Sequence, residues 1–226
     1  QLRRDECDGR VAYRQRPWVV GLPSDGDEVG KILGVWTAHG IPVVARGGGT
    51  GLSGGALPHR HGVLLSMTRF DRILSVDRAN RTARVQPGVR NIAISEELES
   101  LGLYYAPDPS SQIACSIGGN VAENSGGVHC LKYGLTVHNI LKLEVVLMSG
   151  EPVTIGADAL DMPGYALLAL MTGSEGMLGV VTDITVRFLP KPPVARVLLA
   201  AFHDLAVPGN AVAAALAPAL TPRGLE

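Results

Sequence analysis

The stretch best equipped for chemistry is Arg46-Gly47-Gly48-Gly49-Thr50-Gly51-Leu52-Ser53-Gly54-Gly55. Glycines lack a Cβ, so their N–H groups can come close to a ligand. Consecutive N–H groups in such a loop form a concavity that binds anions. The loop is therefore predicted to hold a phosphate or a pyrophosphate. Three readings compete. A P-loop needs Gly-Lys-Ser/Thr at its end, and here Gly54 is followed by Gly55. The dinucleotide pattern G-x-G-x-x-G is present as Gly49 to Gly54, and Asp71 lies ~20 residues beyond the loop. That pattern should open a helix. Instead Pro58 follows, then the strand-like run Gly62-Val63-Leu64-Leu65-Ser66. A flexible linker would be polar and isolated, whereas this loop sits between two apolar runs. A pyrophosphate loop of a non-Rossmann kind remains, and choosing it requires the rest of the chain.

Three further stretches have the composition of ligand loops. In Tyr104-Tyr105-Ala106-Pro107-Asp108-Pro109-Ser110-Ser111 two prolines fix φ, and Asp and Ser supply local hydrogen bonds. Ser116 to Gly127 is glycine-rich and uncharged except for Glu123, which suits a buried polar ligand; a turn-rich surface connection is the alternative. Thr172-Gly173-Ser174-Glu175-Gly176-Met177-Leu178-Gly179-Val180-Val181 is another glycine cluster. His129 and His138 lie near these loops. By pKa either could act as a base, and a structural imidazole is the simpler reading. Cys130, beside His129, is either a ligand or nucleophile or a small packed residue. Cys7, Cys115 and Cys130 are odd in number and lack C-x-x-C spacing. They fit a reducing, cytoplasmic compartment better than a disulfide framework or a metal site.

The elements that position these loops can be read from the pattern. Pro17 to Pro23 reads as a short strand. Ser24 or Asp25 caps a helix with Val29, Ile32, Leu33 and Trp36 on its apolar face, and Gly40 ends it. Ile41 to Ala45 returns as a strand, so a parallel pair delivers the glycine loop. Val63–Ser66, Ile73–Val76 and Thr82–Gln86 are short strands at close spacing, which suggests antiparallel pairing. Val89 to Leu101 has a helical pattern. Leu141 to Met148, a Ser149-Gly150 turn and Pro152 to Ile155 form a hairpin, Tyr165 to Met171 a helix, and Thr182 to Phe188 an alternating strand. Pro190-Lys191-Pro192-Pro193 is the strongest candidate boundary. Beyond it Arg196 to Phe202 reads as a strand and Ala211 to Leu216 as a helix stopped by Pro218. One strand and one helix cannot bury a core alone, so the chain is expected to end just after entering a second domain.

Composition narrows the function classes. The formal net charge of −1 and 4% aromatic content speak against a nucleic-acid partner. No apolar run reaches the ~18 residues of a membrane span. The charged N-terminus does not read as a signal peptide, and Gln1 is not an initiator, so the start is expected upstream.

Taken in order and spacing, the motifs over Pro17 to Pro193 resemble FAD-linked oxidases of the vanillyl-alcohol-oxidase and p-cresol-methylhydroxylase (PCMH) type. Carrying the resemblance are Pro42 to Gly55, Pro107 to Ser111, Gly118 to Gly127, Lys132-Tyr133-Gly134-Leu135-Thr136 and Thr172 to Thr182. Any one alone is weak; the ordered set is specific. Within that family the likeness is greatest to the FAD-binding subunits of bacterial glycolate oxidases, with D-lactate dehydrogenases next. UDP-N-acetylenolpyruvoylglucosamine-type reductases share the fold but differ between the glycine loops. The resemblance implies an α+β class: a PCMH-type FAD-binding domain of two α+β subdomains over 17–193. It is preceded by an extension (1–16) and followed by the beginning of a substrate-binding cap domain (194–226).

The resemblance also implies site residues. Arg46, Gly47, Gly48, Gly49, Thr50, Gly51 and Ser53 would take the FAD pyrophosphate. Pro107, Asp108, Pro109, Ser110, Gly118, Gly119, Asn124, Ser125 and Gly127 would line the pyrophosphate, ribityl chain and isoalloxazine. Tyr133, with Gly134, would neighbour the flavin, a core or rim tyrosine being the alternative. Glu175, Gly176, Gly179, Val180 and Val181 would touch the adenosine or the flavin edge. Some relatives attach FAD through a histidine where Thr50 stands, so the FAD here is expected to be non-covalent. The implied reaction oxidises glycolate or D-lactate by hydride transfer to flavin N5. The carboxylate-binding and metal-binding groups belong to the cap, so no catalytic base or metal ligand is assigned. Companion subunits, one carrying iron–sulfur clusters, are implied as partners. The alternative is an FAD-binding module without turnover of its own.

Overall fold

The computed structural model describes residues 5–158, 163–204, 206–217 and 221–225. The first unit begins with strand β1 (Val19–Gly21) and helix α1 (Gly26–Ala38). Asp25 is the N-cap, accepting from the Glu28 N–H at 2.8 Å, while the Glu28 carboxylate accepts from the Ser24 N–H. This reciprocal closure satisfies two of the orphan donors at a helix start. Strands β2 (Val43–Arg46) and β3 (Val63–Ser66) complete a parallel sheet in the order β1-β3-β2. β1 and β2 are thus parallel but not neighbours. The antiparallel pairing expected for Val63–Ser66 does not occur. Parallel neighbours need a crossover of about a dozen residues or more, and the glycine-rich segment 47–62 supplies it without a helix.

The second unit is a five-stranded antiparallel sheet in the order β4-β5-β9-β7-β8. Its strands are β4 (Ile73–Asp77), β5 (Thr82–Val85), β7 (Ile140–Leu147), β8 (Pro152–Gly156) and β9 (Gly179–Arg187). The expected β7–β8 hairpin and β4–β5 pairing are present. Helix α2 (Asn91–Leu98), with a 3-10 turn over Glu99–Leu101, and helix α3 (Ile117–Glu123) cover one face. Leu143, Val145, Ile184, Val186, Ala83 and Val85 pack there against Ile94, Leu98, Ile117 and Val121. The remaining elements are the two-residue strands β6 (Leu103–Tyr104) and β10 (Leu189–Pro190), which pair, and the short helices α4 (Cys130–Tyr133), α5 (Leu167–Met171) and α6 (Ala206–Leu216).

A second core joins the units. Val29 and Leu33 of α1, Leu65 of β3, Met67 and Phe70 pack with Val146 of β7 and Val180 of β9. The architecture is α+β. No helix among the described residues is long and apolar enough to cross a membrane.

Two expectations fail toward the C-terminus. Arg196 to Phe202 forms no strand: Val197, Leu198 and Leu199 are more than 90% exposed and meet no partner strand among the described residues. The helix expected at Ala211 begins at Ala206, because Pro208 falls in its first turn, where a missing N–H is harmless. Pro218, expected to stop it, lies outside the described residues.

Candidate cofactor site

The end of β2, the start of α3 and the start of β9 converge on one cavity of about 720 Å³. That lies within the 300–1,000 Å³ typical of ligand pockets. Its first wall is the glycine loop, Arg46 to Ser53 with Gly55 and Ala56; its second is drawn from residues between Pro109 and Gly126, chiefly Gly118 to Glu123; its third comprises Met171, Ser174 to Gly176 and Gly179 to Val181. Stretches widely separated in sequence are thus brought together.

The glycine loop is held from beneath. The Arg46 side chain is 9% exposed; its Nη1 donates to the Ala56 carbonyl at 3.0 Å and its Nε faces Asp5 at 3.4 Å. A Cβ on Gly49, whose φ is +68°, would lie 2.2 Å from Arg46 Nη2. The guanidinium therefore braces the loop, and the backbone is what the loop presents. Among the described residues, the N–H groups of Gly49, Thr50, Gly51, Leu52 and Ser53 donate to no protein acceptor. Five successive donors free of protein acceptors along a cavity wall are open to solvent or a ligand, and the donor set suits an anion with several acceptor oxygens.

Helix α3 meets the loop closely. Ser116 Oγ caps α3 by accepting from the Gly119 N–H at 3.4 Å, and accepts from the Gly48 N–H at 3.1 Å. There is no room for a Cβ on Gly47, which would meet that oxygen, or on Gly118, which would lie 2.5 Å from Pro87 Cβ. Ser116→Ala is expected to lose about 1 kcal/mol of stability and, by freeing Gly48, to weaken binding of a pyrophosphate-bearing ligand about tenfold; a fluorescence titration checks it. An unchanged dissociation constant would show that the Ser116 bridge is dispensable.

Of the residues expected at the site, Arg46, Gly47, Gly48, Gly49, Thr50, Gly51, Ser53, Pro109, Ser110, Gly118, Gly119, Ser125, Glu175, Gly176, Gly179, Val180 and Val181 line the cavity. Pro107, Asp108, Asn124, Gly127, Tyr133 and Gly134 do not. Pro107 is buried behind the second wall. Asp108 is engaged by His129, whose Nδ1 lies 2.5 Å from its Oδ2 and whose N–H also donates to it. Gly127 is wedged against the Asp108 backbone, and Gly134 against His138. Asn124 ends α3 in the left-handed region, its Oδ1 accepting from the Val137 N–H. Tyr133 sits edge-on to Tyr104 under the Arg223 guanidinium, 5.6 Å from its ring. Burial beside Tyr133 raises the Tyr104 pKa well above the usual phenol value.

Sequence reasoning missed Ser116, Asn120 and Glu123 as individual wall residues. Glu123 accepts from Ser53 Oγ at 3.0 Å, closing the first wall onto the second. Ser116 carried a signal, since serine is a favoured N-cap; it was masked because Gly118 and Gly119, poor helix formers, stand in the helix's first turn.

Residues 17–156 match the family model described as "FAD binding domain". The chain is 63% identical over 221 residues to the glycolate oxidase subunit GlcD of Escherichia coli (strain K12), covering 98% of this chain and 44% of that protein. It is 37% identical to a D-lactate dehydrogenase of Anaerostipes hadrus over 85% of this chain and 40% of that one. The chain therefore spans less than half the length of these curated relatives. A solved structure of alkyldihydroxyacetonephosphate synthase superposes with a TM-score of 0.70 at 26% identity, over 80% of this chain and 36% of that chain. The two joined α+β units are the PCMH-type arrangement expected from the motifs. The matched family spans more than half of the residues and supplies the ligand that the open N–H groups call for: the chain belongs to the FAD binding domain family.

Proposed function

We propose that this chain holds FAD non-covalently between the three walls, as the cofactor-binding part of an oxidoreductase acting on a small 2-hydroxy acid of the glycolate or D-lactate class. The observation that carries this is the row of five open N–H groups from Gly49 to Ser53 in the cavity wall. A pyrophosphate matches that row, and the bare backbone of Gly119 and Gly176 leaves room beside it. When bound, FAD supplies the two-electron and hydride chemistry, and the protein supplies binding and orientation. Arg46 keeps the loop in shape, Ser116 ties it to α3, and Val180 and Val181 supply apolar surface. The expected contact set, including Pro109, Ser110, Gly118, Ser125, Glu175 and Gly179, fits this arrangement. Thr50 offers no nucleophile for the bond that some relatives make through histidine.

The names of the relatives support the substrate class, and the word "subunit" in one supports companion chains. An iron–sulfur subunit among these companion chains fits the reading as electron acceptor. A cytoplasmic location, peripheral to a membrane through such partners, goes with free thiols. The second reading is a cofactor module without turnover of its own.

The test is an absorption spectrum of the purified chain before and after acid precipitation, followed by anaerobic addition of glycolate or D-lactate. A flavin spectrum that passes into the acid supernatant is expected. Colour retained in the pellet would overturn the non-covalent assignment. A folded chain, judged by circular dichroism, that takes up no FAD would overturn the cofactor assignment. Bleaching by either acid supports the oxidoreductase reading; bound flavin that neither acid bleaches supports the module.

A further inference from the structure

The segment preceding β1 closes on itself and grips the glycine loop. The Gln15 N–H donates to the Glu6 carbonyl at 2.7 Å, and Arg14 and Arg16 both pair with the Glu6 carboxylate. The tip of this closed segment, Asp8-Gly9, is pressed against the loop. Asp8 is 5% exposed, and its two oxygens are both used: Oδ1 accepts from the Arg10 N–H and Oδ2 from the Gly54 N–H, each at 3.0 Å. The Gly9 N–H donates to the Gly51 carbonyl at 3.0 Å. A Cβ on Gly9 would lie 2.5 Å from the Thr50 carbonyl oxygen, so only glycine permits this approach. Asp5 adds the ion pair to Arg46. Three points of the loop, Arg46, Gly51 and Gly54, are thus tied to one strap, and none of the strap's residues lines the cavity.

We infer that residues 5–16 are a strap that sets the cofactor loop from behind, with Asp8 as its positioning residue, and that the strap governs how fast FAD leaves; this rests on the cofactor reading above. The physics is preorganisation. A glycine-dense loop has many accessible conformations, and ordering it on binding weakens affinity. A strap that fixes the Gly51 carbonyl and the Gly54 N–H fixes the peptide planes between them, where two of the five open donors lie. A buried carboxylate is suited to this, because hydrogen bonds to a charged acceptor are stronger than neutral ones.

The experiment uses the full chain and three variants: Asp8→Ala, Asp8→Asn and Gly9→Ala. Asparagine keeps one carbonyl acceptor, so it should rescue in part. FAD release is followed by flavin fluorescence after dilution, and the melting temperature and Gly54 amide exchange are measured on the apo-protein. Asp8→Ala and Gly9→Ala are expected to release FAD roughly tenfold faster than wild type, with Asp8→Asn between. The Gly54 amide should exchange faster in Asp8→Ala than in wild type. Wild-type release rates in all three variants would overturn the inference. So would a lowered apo-protein melting temperature without faster release, the signature of a merely structural strap. A wild-type chain that binds no FAD would fail the cofactor reading instead, which separates the two.

Discussion

Gly48→Ala is expected to reduce FAD affinity by at least about 100-fold and to lower stability by about 1–3 kcal/mol. The new Cβ would lie 2.6 Å from the Ala114 carbonyl oxygen, 3.2 Å from Cys115 Cα and 3.3 Å from the Ser116 N. All three are backbone atoms, so no side chain can swing aside. That backbone is itself anchored: the Cys115 N–H donates to the Ser111 carbonyl at 2.8 Å, and the Cys115 carbonyl accepts from the Asn91 N–H. Relief must come from the glycine loop, which would retreat and carry the Gly49 to Ser53 N–H groups out of register with the pyrophosphate. Hydrogen bonds to a charged group are worth about 1.5–3 kcal/mol each, so misplacing two accounts for the loss. Gly34→Ala is the control. Its Cβ would meet nothing closer than 3.8 Å, within α1, and should stabilise the protein by up to about 1 kcal/mol without touching FAD. Titration and calorimetry on both variants decide the matter; near-wild-type affinity for Gly48→Ala would remove the loop from the cofactor site.

Phe70→Ala should have the larger effect on stability, about 3–5 kcal/mol, out of a total of 5–15 kcal/mol for a typical domain. Phe70 is 2% exposed and packs in the core that joins the two units, with Leu65, Met67, Val146 and Val180. Met67 and Val180 also line the cavity. The void would therefore open directly behind the cofactor wall. FAD should restore part of the loss by mass action, about 2.7 kcal/mol at a hundred times its dissociation constant. Urea unfolding with and without FAD measures both quantities. A loss below about 1 kcal/mol would mean that the units are joined by something other than this core.

What was legible in the chain was local. The Asp25 cap, the β7–β8 hairpin around Ser149-Gly150 and the exposed backbone of the glycine loop from Arg46 to Ser53 all follow from residues close in sequence. What was not legible depended on partners far away. Asp8 has no pattern to announce it, because its acceptor role is fulfilled by a Gly54 N–H 46 residues later. The shortness of β3 and its close spacing to β4 and β5 suggest antiparallel pairing; its parallel pairing is decided by the path of segment 47–62 and agrees with its continuous buried apolar run. Helix α3 was hidden by two adjacent glycines, of which Gly118 is required by the close approach to Pro87. Of the six expected residues that stand outside the cavity, Pro107, Asp108, Asn124 and Gly127 lie within two residues of its lining in sequence, and Asp108 is already committed to His129.

The place of β9 has a consequence for synthesis on the ribosome. β9 is the last strand of the five-stranded sheet to be made, yet it lies in the middle, between β5 and β7. The β4–β5 and β7–β8 hairpins can form as they emerge, but β5 and β7 then each expose an edge that the finished sheet covers. Until residues 179–187 arrive, the nascent chain carries these two extra unpaired edges beside those of β4 and β8, and unpaired edges are prone to pairing with other chains. A nascent chain that has emerged from the ribosome only to a point between Gly156 and Gly179 would therefore be more prone to aggregate than a finished one. The same late strand brings Val180 and Val181, so the cofactor cavity closes in the step that removes the hazard.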